Sequence, residues 1–104
     1  MRIAVIGNYE SREYRNLILT LKVYKEPDDY ILDLSRHKEG SATEIRDARW
    51  LDIYSANQVL LCNGFKDGNL DMMNDIERAQ KSEKEFVFFH NGEIIPFKES
   101  AYRG

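Results

Sequence analysis

Four short apolar runs recur along the chain, at Ile3 to Ile6, Tyr30 to Leu34, Val59 to Cys62 and Glu85 to Phe89, with helical or polar stretches between them. This alternation constrains the fold more than any single motif does. A continuous apolar run of four or five residues suits a strand covered on both faces, as parallel sheets require, and helices between such strands supply the crossovers. Ser11 is an N-cap for a helix carrying Tyr14, Leu17, Ile18 and Leu21, which Pro27 prevents from continuing. Ser41 or Thr43 opens a second helix, with Ile45, Ala48 and Leu51 on its apolar face and Trp50, Ile53 and Tyr54 beside them. Met72, Met73, Ile76 and Ala79 mark a third helix over Leu70 to Lys81. The pattern predicts a single-domain α/β protein, a three-layer open parallel sheet of flavodoxin-like or Rossmann-like type with strand order 2-1-3-4. Asn91-Gly92 is a turn signal, and Glu93 to Phe97, where Pro96 cannot donate to a central ladder, reads as a possible short fifth strand at an edge. Residues 1–98 are expected to form the domain and 99–104 a loose tail.

Composition narrows the function classes. The 104 residues, 42% apolar and 32% charged, leave room for one core. A net charge of −3, a pI near 5.4 and no long basic run lack the electrostatic footprint of a DNA or RNA binder. The single cysteine, Cys62, lies in an apolar run, where it reads as a small buried hydrophobe. No apolar stretch approaches the length of a membrane span, and Met1 to Gly7 is too short for a signal sequence, so a cytoplasmic protein is expected. His37 and His90 have no Cys or His at metal spacing, so neither a metal nor a cofactor is expected.

In open α/β sheets small ligands bind in the crevice beyond the strand ends. Here the candidates are Gly7 and Asn8 after the first strand, and Asn63, Gly64 and Asn69 after the third. Gly7 to Ser11 lacks the further glycines of a dinucleotide loop, and no Gly-Lys-Ser/Thr occurs. Asn8 and Asn63 stand where a receiver domain would need acids, and the first loop lacks the hydroxyls of a flavodoxin. Tyr9 either stands over the crevice, to orient a carboxylate or stack on a base, or sits at its rim. Arg12 and Arg15 either clamp a phosphate or share a solvated face with Glu10 and Glu13. Trp50 reads as a core or dimer contact more readily than as a stacking platform. Asp71 and Asp75 also have a plain reading, as acids in the first turns of a helix with Arg78 pairing to Asp75.

Taken together, Asp47-x-x-Trp50-Leu51, Ala56-Asn57-Gln58-Val59-Leu60-Leu61, Gly64-Phe65-Lys66-Asp67-Gly68-Asn69 and the acidic helix with Ala79 and Lys81 form an ordered series. The series, with the opening Met-x-Ile-x-Val-Ile-Gly and Arg12-Glu13, resembles the nucleoside 2-deoxyribosyltransferase-like superfamily, which includes deoxynucleoside 5′-monophosphate N-glycosidases. The resemblance implies a nucleoside or nucleotide ligand at the strand ends, a homodimer, and a carboxylate on the third helix that attacks the anomeric carbon. Counting back four residues from Ala79 puts Asp75 in the nucleophile's place, with Tyr9 and Asp47 positioning the sugar and Gly7, Asn8, Arg12, Asn63, Gly64 and Asn69 around the substrate. The chain departs from the family pattern at three points. The family's Glu is Asp75, its Ser-x-Gly is Asn69-x-Asp71, and its Ala-Asp is Ala56-Asn57. A loss of ~1 Å in attack geometry costs on the order of a hundredfold in rate. The expected function is nucleoside or nucleotide binding with weak or absent N-glycosidic cleavage or transfer. The alternative is a non-catalytic regulatory or protein-interaction domain on the same scaffold.

Overall fold

The structure, a computed structural model, describes residues 1–62, 70–90 and 93–96. Asn63, Gly64, Asn69, the Asn91-Gly92 turn and the tail 99–104 therefore lie outside the described residues. The elements are β1 (Arg2–Ile6), α1 (Arg12–Tyr24), β2 (Tyr30–Asp33), a 3-10 turn (Leu34–Arg36), α2 (Ala42–Ser55), β3 (Gln58–Leu61), α3 (Leu70–Lys81), β4 (Glu85–His90) and β5 (Glu93–Pro96). The sheet runs β2-β1-β3-β4-β5, so the four-strand order expected from the sequence is extended at one edge by a fifth strand. The first four strands pair parallel, and β5 pairs antiparallel with β4.

Local chemistry sets where the helices begin. Ser11 Oγ accepts from the Tyr14 N–H at 3.1 Å and donates to the Asn8 carbonyl at 2.8 Å, so one hydroxyl caps α1 and closes the loop after β1. Ser41 and Glu44 form a reciprocal capping box at the start of α2. Gly40 precedes it at φ 104°, a left-handed conformation that glycine adopts without a Cβ penalty.

Successive strand residues point to opposite faces, and two cores result. On one face Ile3, Val5, Leu60 and Val87 pack with Tyr14, Leu17 and Ile18 of α1. On the other, Ala4, Ile6, Val59, Leu61 and Phe88 pack with Ile53 of α2 and Met72, Ile76 and Ala79 of α3. Helices thus cover both faces of the sheet, as the unbroken apolar runs require.

The buried face of α2 is not the one its apolar residues suggest. Leu51, expected on the inner face with Ile45 and Ala48, is 68% exposed, and the buried positions are Arg49, Asp52 and Ile53. Two charged side chains at helical spacing (i, i+3) occupy the inward stripe. Burial of charge at these positions is tolerated only because each has partners, and those partners define the site.

Candidate functional site

Tyr9, at the exit of β1, reaches across to α3, where its hydroxyl donates to Asp75 Oδ2 at 2.6 Å. Arg49 Nε donates to the same oxygen at 2.7 Å, and Trp50 Nε1 donates to Oδ1 at 2.9 Å. Asp75 is 0% exposed, so three donors from two other segments seal its carboxylate within the fold. Burial pushes the Asp75 carboxyl above its ordinary range, while the Tyr9, Arg49 and Trp50 donors pull it back. Burial, then the nearby Asp75 charge, pushes the Tyr9 hydroxyl well up. Arg78 does not pair with Asp75, as sequence spacing suggested. Its guanidinium lies 4.0 Å from the Trp50 ring centroid and donates to the Tyr54 hydroxyl at 2.8 Å. Asp75 faces inward from α3 and Arg49 takes it first, so the helix-dipole reading of this acid is replaced by a buried ion pair.

Above this network lies a cleft of about 630 Å³, lined by residues that follow β1 and β2 and by the inner turns of the helices. Its floor and walls include Tyr9, Leu34 and Ile45, with Arg15, Lys38 and Arg49 supplying positive charge and Glu10 and Asp71 negative charge. Arg49 Nη2 lies 3.7 Å from Asp71, so this one guanidinium links the buried acid to the cleft rim. Ser35, whose amide and hydroxyl both bond to Asp33 Oδ1, and His37 complete the β2 side.

The sequence-derived residues fall in different places. Tyr9 lines the cleft, whereas Asp75 lies beneath it. Asp47 does not line the cleft. It is exposed and bonds to Arg46 at 3.3 Å. Two residues turn a helix by about 200°, so position 47 points away from the face presented by Ile45 and Arg49. Arg12, also exposed, gives way in the cleft lining to Arg15, one turn further along α1. Gly7 does not line the cleft but is a packing glycine. A Cβ there would sit 2.8 Å from both Cys62 Cβ and Tyr14 Cδ2. Asn8 acts on the backbone, with its carbonyl accepting from Ser11. The residues that sequence reasoning passed over are Lys38, Ser35 and the pairing of His37 with Asp52. His37 and Asp52 meet across 15 residues of sequence, and hydropathy marks none of these positions.

The chain matches no family model, no curated protein and no solved structure. Among the described residues, no three His, Cys, Asp or Glu side chains are grouped to hold a metal ion, and no helix is long and apolar enough to cross a membrane. Cys62 is buried on the α1 face of the sheet, and burial pushes its thiol up to about 12. Because only the thiolate attacks, raising the thiol from 9.0 to about 12 is expected to slow alkylation of the native protein on the order of a thousandfold. Iodoacetamide labelling with and without denaturant checks this, and equal rates would overturn it.

Proposed function

We propose that the cleft beyond β1 and β2 binds a nucleoside or nucleotide, and that Asp75 anchors its wall rather than attacking the sugar. The observation that carries this reading is the division of labour at Arg49, whose Nε is bonded to a sealed carboxylate while the same residue lines the cleft. A volume of about 630 Å³ lies in the range of small-molecule sites. Tyr9 and Ile45 offer apolar contact for a base, and Arg15, Lys38 and Arg49 offer charge for a phosphate. The resemblance to nucleoside 2-deoxyribosyltransferases supports the ligand class. A nucleophile must meet an anomeric carbon, and a 0% exposed carboxylate already holding three donors meets none.

The test is a thermal-shift screen against deoxynucleosides, their 5′-monophosphates and ribonucleotides, with free base measured chromatographically in the same wells. A ligand that binds only the folded state raises the melting temperature by mass action. The expected result is a selective shift with a 5′-monophosphate and no released base. Base release that disappears in Asp75→Asn would restore the N-glycosidase reading, and no shift with any ligand would remove the nucleotide reading altogether. A second reading, a protein-interaction domain, has the exposed Leu51, Tyr54 and Met73 of α2 and α3 in its favour. It fits the homodimer that the family resemblance implies, and sedimentation of the full chain tests it.

A further inference from the structure

We infer that Asp71 holds the place of an anionic ligand group on Arg49, and so sets how strongly the cleft prefers a charged ligand to a neutral one. The inference rests on the cleft being the ligand site. Arg49 meets α3 between two acids that lie four residues, one helical turn, apart. Its Nε donates to Asp75 at 2.7 Å, which fixes the guanidinium, and the central carbon of that group lies 5.3 Å from the centroid of the Tyr9 ring. Its Nη2 lies 3.7 Å from Asp71 Oδ1, an ion contact beyond hydrogen-bond length. The two acids are held very differently. The Asp75 side chain is 0% exposed and has three donors, whereas the Asp71 side chain is 66% exposed. Arg49 and Asp71 both line the cleft, so the inner contact is sealed in the fold and the outer one is open to exchange.

A fixed guanidinium in the wall of a cleft attracts an anion, and here the chain supplies one itself. Asp71 stands in the first turn of α3, where the helix dipole also favours a negative group. An oxyanion on a ligand carries the same charge and the same kind of acceptor atoms, so it competes with Asp71 for Arg49. A neutral nucleoside leaves the Arg49–Asp71 contact in place and binds without regard to it. A charged ligand has to displace the carboxylate and bear its repulsion, which cancels part of the attraction to Arg49. Asp71 is thus a brake on anion binding, a specificity-determining residue that takes no part in any bond-breaking step. Because an exposed ion contact contributes little to stability, the brake is removable without loss of the fold.

Calorimetric titration of the full chain tests this with the common deoxynucleoside 5′-monophosphates and their parent nucleosides, at about pH 8, above the second ionisation of a phosphate ester. Asp71→Asn keeps the shape of the side chain and removes its charge. Glu10→Gln removes a charge from elsewhere in the cleft lining and controls for net charge alone. The expected result is that Asp71→Asn tightens monophosphate binding roughly fivefold, the upper end for one exposed ion contact, and leaves nucleoside binding unchanged. Glu10→Gln gives a smaller gain, and melting curves establish that both variants are folded. No gain in Asp71→Asn would overturn the proposal. So would equal gains in the two variants, which would make net charge the cause, or a gain shared by nucleoside and monophosphate, which would mean that Asp71 only takes up space. In each of these cases binding to the unaltered chain leaves the ligand reading of the cleft intact. Binding of no compound to the unaltered chain or to either variant would overturn the cleft reading and this inference together.

Discussion

Asp75→Ala is expected to lower the free energy of unfolding by about 3–5 kcal/mol, the cost of removing one member of a buried ion pair. Arg49, 5% exposed, would keep its charge without the oxygen that now sits 2.7 Å from Nε. The Tyr9 hydroxyl and Trp50 indole would lose their acceptor as well. Urea denaturation followed by far-UV circular dichroism checks the value, and a loss under about 1 kcal/mol would overturn the anchoring role, since ordinary surface substitutions fall below that. Replacing both partners, Arg49→Met with Asp75→Leu, is expected to recover part of the loss, because it removes the unpaired guanidinium but leaves the Tyr9 and Trp50 donors without an acceptor. The pH dependence has a defined sign. Burial holds the folded carboxyl above its ordinary value of 3.8, so folding takes up a proton between that value and the raised one. The contribution of Asp75 to stability therefore declines as pH rises through that window and is level above it, and Asp75→Ala abolishes this slope.

Tyr14→Phe is the second large effect. The Tyr14 hydroxyl donates to the Val5 carbonyl at 2.8 Å and accepts from the Leu34 N–H at 3.1 Å, tying β1 to the start of the 3-10 turn from within the core. Burial, then the charge of Asp33, pushes this hydroxyl up, so it stays protonated and keeps both bonds at any ordinary pH. Phenylalanine fills the same space but leaves the Leu34 amide without its acceptor. The expected cost is about 1–3 kcal/mol, the penalty for a buried unsatisfied group. Denaturation curves give the magnitude. Hydrogen exchange at Leu34 gives the location, and an unchanged protection factor there would remove the explanation.

The strands were legible because four apolar runs can only be buried on both sides, and α3 because Met72, Ile76 and Ala79 recur at helical spacing. Leu34, read as the end of a strand, instead begins a 3-10 turn because Asp33 bonds forward to the Ser35 amide and hydroxyl. The face of α2 was illegible for a different reason. Arg49 and Asp52 turn inward toward Asp75 and toward Arg36 and His37, 26, 16 and 15 residues away in sequence. Periodicity records the character of a residue, not the presence of a counter-charge on another element, so Leu51 reads as inner. The site shares this limit. Tyr9 could be placed from its position after a strand, but the guanidinium that meets Asp75 could not.

The sealed carboxylate also bears on how the chain reaches this state. Tyr9, the Arg49-Trp50 pair and Asp75 belong to three successive strand-and-helix units, so no shorter stretch of chain satisfies all four groups. A nascent polypeptide ending before Leu70 carries Arg49 without its Asp75 partner, and docking of α3 is the step that makes the assembly whole. Cleaving the backbone between β3 and α3 is thus expected to yield two fragments that are each unstructured alone and fold on mixing.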